Sequence, residues 1–213
     1  MNVLEKLAER APELAFELPD GTTVVKLGLI VTLYFKEGYT AKNKQKVMEC
    51  FDRFYNEFGS ELKGQFQEKY KKLTPENFKK NIEKILKSGP NEQYEWQVTS
   101  AKKVKEVGVY SLSVLNTFEL HGDAMRSYIK LVLPWELLRT KDGSTRFRDW
   151  LTYLCNQITA DHGYGGLSTI LPYDYHGYMP IEYEMAQQYS GLDVDSMAHA
   201  STLELIDWRF QRL

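Results

Sequence analysis

The sequence predicts an α+β fold: a largely antiparallel sheet with helices packed against it. Three observations carry that prediction. The run Val24 to Phe35 is β-branched and almost continuously apolar, as expected of a central strand buried on both faces. From Tyr94 to Leu138 the hydrophobic period is two, in three successive segments. Elsewhere apolar residues recur at helical spacing, most clearly over 41–57, from Pro75 up to Gly89-Pro90, and over 145–159. With 213 residues, 43% of them hydrophobic, the chain can bury a core without staples. It reads as a single domain over 1–213, with two halves, about 14–90 and 94–213, that could be related.

Taken in order, residues 3–10 form a short helix with Leu4, Leu7 and Ala8 on one face, stopped by Pro12. A β-hairpin follows, its two apolar runs joined at Pro19-Asp20-Gly21, where Pro presets φ and Gly accepts a positive one. In the helix over 41–57, Val47, Phe51, Phe54, Tyr55 and Phe58 make the buried stripe, and Gly59 ends it. Leu62, Phe66 and Tyr70, spaced by four, predict a second helix. Thr74 as N-cap and Pro75 at the first helical position predict a third, with Phe78, Ile82, Ile85 and Leu86 inward and Gly89-Pro90 closing it. Its lysines (Lys79, Lys80, Lys84, Lys87) are interrupted by Glu76 and Glu83, the pattern of a solvated face more than of a nucleic-acid patch.

QYEWQVTS, VGVYSLSVLNTFEL and SYIKLVLPWELL read as three strands of a meander. They turn at Lys105-Glu106 and His121-Gly122-Asp123, and Pro134 falls at a strand end or sheet edge. Phe147, Trp150, Leu151, Leu154, Cys155 and Ile158 stripe the next helix. This strand–loop–helix unit echoes the one near the start at an offset near 100 residues: Leu131-Val132 with Phe147…Ile158 matches Ile30-Val31 with Val47…Phe58. A strand over Leu167 to Leu171 follows, with Gly163, Gly165 and Gly166 where backbones approach closely. A short helix after Pro180 is capped by Gly191, and LELIDWRF should dock on the body.

Net charge is −2, but it is divided unevenly. Residues 36–105 hold sixteen Lys/Arg and ten Asp/Glu. Residues 149–208 hold nine acids, no Lys or Arg, and nine aromatics of which seven are tyrosines. Either these carboxylates are dispersed over an ordinary solvated surface, or they form an acidic, Tyr-rich face that attracts a basic partner.

Other chemistries find little support. GYGG at 163–166 leads into an apolar run with no phosphate-binding lysine. The four histidines, His121, His162, His176 and His199, show no metal-ligand spacing, and Asp193-x-Asp195 lacks the rest of a calcium loop, so no metal or other cofactor is expected. Cys50 and Cys155 lie in helical patterns as small apolar residues. There is no GxSxG elbow and no aromatic-interleaved basic run, so neither a catalytic constellation nor direct nucleic-acid binding is expected. The two thiols, the absence of a signal-peptide core and the lack of a span-length apolar run predict a soluble, cytoplasmic protein without membrane contact.

A protein partner with a cationic cleft is the remaining expectation. The candidate contact residues are Tyr173, Asp174, Tyr175, Tyr178, Glu182, Glu184, Asp193 and Asp195. Pro172 and Pro180 bracket YDYHGYM, whose tyrosines either project from the surface or fold back onto the core. The alternative from another class is a small-molecule hydrolase or transferase built on Asp161, His162 and Tyr173–Tyr178.

Four segments carry a family resemblance: GLIVTLYFKEGYTAKNKQKVMECFDRFYNEFG, YIKLVLPWELL, HGYGGLSTI and QQYSGLDVD. Together they resemble the TsiV family of type VI secretion immunity proteins. That resemblance implies an antitoxin-like, non-enzymatic protein that binds a nuclease effector with a VRR-Nuc domain and inhibits it. VRR-Nuc domains are metal-dependent nucleases with a basic substrate groove, so the resemblance agrees with the acidic stretch as the occluding surface. It also implies a further apolar segment, around an Asn-Trp pair, beyond IDWRFQRL.

Overall fold

The structure, a computed structural model, describes residues 3–192. Its axis is β2 (Thr23–Phe35), a thirteen-residue strand that pairs along both edges. On one side lies β7 (Ser127–Pro134), with Ile30 opposite Val132; on the other lies β8 (His162–Ile170), with Ile30 opposite Gly166. Beyond β7 the sheet continues through β6 (Ser111–Leu115), β5 (Glu95–Thr99), β3 (Gly64–Phe66) and β4 (Tyr70–Lys72), with every pairing antiparallel. The two-residue β1 (Phe16–Glu17) pairs with the start of β2. The hairpin turn is as the sequence predicts: Gly21 has φ 79° and Thr22 N–H donates to Asp20 Oδ1 at 2.9 Å.

Alternation along the strands separates two faces. Leu27, Leu29, Val31, Leu33 and Phe35 of β2, with Trp96, Val98, Leu112, Val114, Ile129 and Leu131, face a helical layer. That layer comprises α2 (Ala41–Phe58), α3 (Pro75–Lys87) and α4 (Gly143–Ile158). Phe51 stacks on Trp96 with ring centroids 4.3 Å apart, which adds about 0.5–1.5 kcal/mol beyond simple area burial. Glu57 of α2 accepts from Arg146 Nε at 2.6 Å and Trp150 Nε1 at 3.0 Å, locking α2 to α4. Thr74 is the N-cap, as the sequence predicts, and Asn77 completes a capping box with it. The lysines Lys79, Lys80, Lys84 and Lys87 are exposed. The two strand–helix units whose hydrophobic patterns echo one another lie side by side, β2 against β7 and α2 against α4.

Three expectations change. Residues 61–70 form no helix: β3 and β4 make a hairpin there. Gly64 leaves room for the Tyr70 ring, which a Cβ would meet at 2.1 Å. Phe66 and Tyr70, four apart, are partners across this hairpin on the face away from the helices, whereas Leu62, ahead of β3, packs in the helical layer. The long strand predicted from Val107 shrinks to Ser111–Leu115, because Val107 N–H turns aside to donate to Thr23 O. The strand predicted at Leu167 begins five residues earlier, at His162, and includes the glycines. The helix after Pro180 is α5 (Met179–Gln188), and α1 (Val3–Arg10) precedes the hairpin as expected. The LELIDWRF segment lies outside the described residues.

A Cβ on Gly165 would lie 2.7 Å from the backbone oxygen of Ile30, and backbone cannot rotate away. Gly165→Ala should therefore destabilise by about 1–3 kcal/mol, read as a lower urea midpoint. Gly177, with nothing within 4 Å of its would-be Cβ, is the control: Gly177→Ala should shift stability by less than about 0.5 kcal/mol.

Candidate functional site

The sheet face away from the helical layer is unusually polar for a surface that is largely covered. Glu95 and Gln97 of β5, Ser113 of β6 and Lys130 of β7 point to it, each separated along its strand by a residue in the apolar core. The chain leaving β8 crosses this face as a strap. Only Leu171 and Pro172 separate Ile170 from Tyr173, yet Tyr173 stacks on Phe66 of β3 with centroids 4.1 Å apart and planes within 3°. In a flat sheet β8 and β3 would lie about 24 Å apart, at roughly 4.8 Å per strand, whereas three residues of chain reach only about 10 Å. The sheet must therefore curl toward this face, so that its two ends approach across it.

Between the sheet and the strap lies a cavity of about 600 Å³. Tyr173 forms part of the wall, its hydroxyl hydrogen-bonded to Glu95. Burial, reinforced by the Glu95 charge, pushes the Tyr173 phenol up to about 12. Burial also raises Glu95 above the usual carboxylate range, against the opposing pull of the Tyr173 hydrogen bond. Tyr175 lines the same cavity and is raised by burial and by Glu95. The far end of the strap is pinned by Tyr189, whose hydroxyl meets Glu13 at 2.9 Å.

The candidate contact residues thus divide. Tyr173 is half-buried in its stack, and Glu182 is 1% exposed, at the cavity wall. Tyr175 and Tyr178 are half-buried, the first just before and the second at the end of the short turn His176–Tyr178 that precedes α5, and Asp174 and Glu184 are exposed. Asp193 and Asp195 lie outside the described residues. Tyr183, not singled out by sequence, is 62% exposed beside Glu184. Glu95, Gln97, Ser113 and Lys130 were also missed, since alternation in a strand marks a polar face as solvent-facing unless its cover is known. The acidic stretch is not one surface either, because Asp149 is exposed on α4, in the helical layer.

Asp161 and His162 sit at the other end of β8. Asp161 accepts from Arg126 Nε at 2.7 Å, and His162 Nδ1 is 3.7 Å from the same carboxylate. The His162 ring stacks on Tyr34 at 4.7 Å. Neither is among the described residues lining the cavity. Among the described residues no group of three His, Cys, Asp or Glu is placed to hold a metal ion, and no helix is long and apolar enough to cross a membrane. Both cysteines are free; burial pushes the Cys50 thiol up to about 12, so it is inert at neutral pH.

Fold and site together define an α+β protein whose curled antiparallel sheet is layered with helices on one face and strapped over a polar, aromatic cavity on the other. The chain belongs to the TsiV family, described as type VI immunity for VRR-NUC, whose model matches residues 46–208. Among solved structures it is similar to the Pseudomonas aeruginosa T6SS protein PA0821, with 19% identity and a TM-score of 0.76 over 94% of this chain. The match covers 60% of the length of that protein. No curated protein matches the chain.

The hydrogen bond from Arg126 holds Asp161 below the ordinary carboxylate value, with burial opposing. A depressed folded pKa gives stabilisation that is complete above the ordinary value of 3.8 and is lost as pH falls through the lowered one. Asp161→Asn should therefore lower the urea midpoint at neutral pH. Its difference from the wild type should shrink as the buffer is taken below 3.8.

Proposed function

We propose that this chain is an immunity protein that binds a VRR-Nuc nuclease effector of a type VI secretion system and occludes its DNA-binding surface. The observation that carries this reading is the family match over residues 46–208. The strap supports it physically. Its exposed residues include Asp174, Tyr183 and Glu184, and Tyr178 is half-exposed: carboxylates and phenols suited to a groove built for phosphates and bases. Tyr173 and Glu182 act from beneath, holding the strap in shape, and Asp193 and Asp195 extend the acidic run past α5. The chain supplies no chemistry of its own. The Asp161–His162 alternative is disfavoured by the Arg126 contact that occupies Asp161 and because neither residue is among the described residues lining the cavity.

Mixing the purified chain with a VRR-Nuc effector should abolish DNA cleavage at equimolar ratio; undiminished cleavage, with no complex on size exclusion, would refute the reading. Rate and affinity should separate by residue type. Tyr178→Ala or Tyr183→Ala should weaken binding by about 2 kcal/mol, roughly thirtyfold, with little change in Tm. Asp174→Asn and Glu184→Gln should chiefly slow association, and the wild-type on-rate should fall as salt rises. Salt-independent association, measured by stopped flow, would remove the strap carboxylates from the encounter.

A further inference from the structure

We propose that the cavity beneath the strap is a receptor for one arginine side chain of the partner protein, its guanidinium held by Glu95 between the rings of Tyr173 and Tyr175. The inference deepens the immunity reading and rests on it for the identity of the partner.

Charge selects the occupant. Three carboxylates, Glu95, Asp174 and Glu182, face this space against one lysine, Lys130, so an anion is disfavoured and a cation is drawn in. A metal ion is a poor fit, since no three His, Cys, Asp or Glu side chains converge among the described residues. The aromatic walls narrow the choice. A guanidinium is planar, weakly hydrated and stacks on phenol rings while its edge donates to a carboxylate, whereas an ammonium is a compact and strongly hydrated charge. Glu95 suits that role because burial already disfavours its charge, and an arriving cation relieves this cost.

Position selects the source. The cavity wall and the outward surface are the same strap: Asp174 is exposed at the rim while Tyr173 and Tyr175, on either side of it, line the interior. A partner lying on the strap therefore reaches the opening without rearrangement. The volume of about 600 Å³ falls within the range of binding pockets and leaves room for residues flanking the arginine. An arginine anchored in a desolvated aromatic pocket is a common source of binding energy at protein interfaces.

The probe is N-acetyl-L-arginine methylamide, with the norleucine analogue as an uncharged control of similar length. Followed by heteronuclear NMR, the arginine probe should give saturable shifts at Glu95, Ser113, Lys130 and Tyr173, with a Kd of about 1–10 mM. Glu95→Gln keeps an oxygen for the Tyr173 hydroxyl and should weaken the probe at least about tenfold. Asp174→Asn, at the exposed rim, should weaken it in the same direction, and Glu184→Gln, outside the cavity, should leave it unchanged. Equal shifts with norleucine, no saturable shifts at these positions, or wild-type affinity in both cavity variants would overturn the proposal. The effector separates the two readings. If a VRR-Nuc effector binds wild type and Glu95→Gln equally, the arginine receptor falls and the immunity reading stands. If the arginine probe binds as expected but no VRR-Nuc effector does, the receptor stands and the partner must be another basic protein.

Discussion

Ring centroids 4.1 Å apart place Tyr173 flat against Phe66, and its hydroxyl reaches Glu95 one strand further in. These two contacts join the segment after one edge strand to the far side of the same sheet, and so fix how tightly the sheet curls. A flat sheet would leave the strap stretched over solvent and Glu95 in water. The curl instead gives a half-enclosed space with aromatic walls and desolvated carboxylates. Near the opposite edge of the strap, Tyr189 and Glu13 make the second tether, so Asp174 through Glu184 is held at both ends. Segments anchored in this way can present side chains in a fixed geometry, which favours binding because less conformational entropy is lost on contact.

The helical layer makes the opposite kind of surface. Phe51, Trp96, Phe54 and Trp150 interlock there, and Glu57 ties α2 to α4 through two hydrogen bonds. Its buried cation is satisfied internally: the Lys44 ammonium donates to Ser88 O, Ser88 Oγ and Gly89 O. One face of the sheet is therefore devoted to stability, and the other carries polar groups that a stable core does not require.

How legible this was in the sequence depended on how local each signal was. Thr74-Pro75, the stripe of α2 and the stripe of α4 are written within single turns of helix, and they were readable to within two residues or so. Val24–Phe35 announced β2 because both of its faces are covered. The segment 61–70 misled, since residues spaced by four also fit a hairpin once Gly64 lets the Tyr70 ring lie across it. The first half of β8 was hidden because Gly163, Gly165 and Gly166 carry no side-chain pattern. For the site, the tyrosines of 173–178 were visible as a cluster. Their distribution between wall and rim was not, because it is set by the pairing of β3 with β5, thirty residues apart in sequence and a hundred before the strap. The charge count over 149–208 likewise left open whether its carboxylates share one face, and folding divides them: Asp149 on α4, Asp161 with Arg126, Glu182 inside, Asp174 at the cavity rim and Glu184 outside.

On the function proposed above, the strap over the sheet face away from α2, α3 and α4 is the surface that meets the nuclease. Hydrogen exchange read by mass spectrometry, on the chain alone and in complex with a VRR-Nuc effector, tests it most directly. New protection is expected over 171–188, with smaller gains in β5 and β7 beneath the cavity and no change in α2 and α4. Protection centred on α2 and α4, with exchange over 171–188 unaltered, would contradict it.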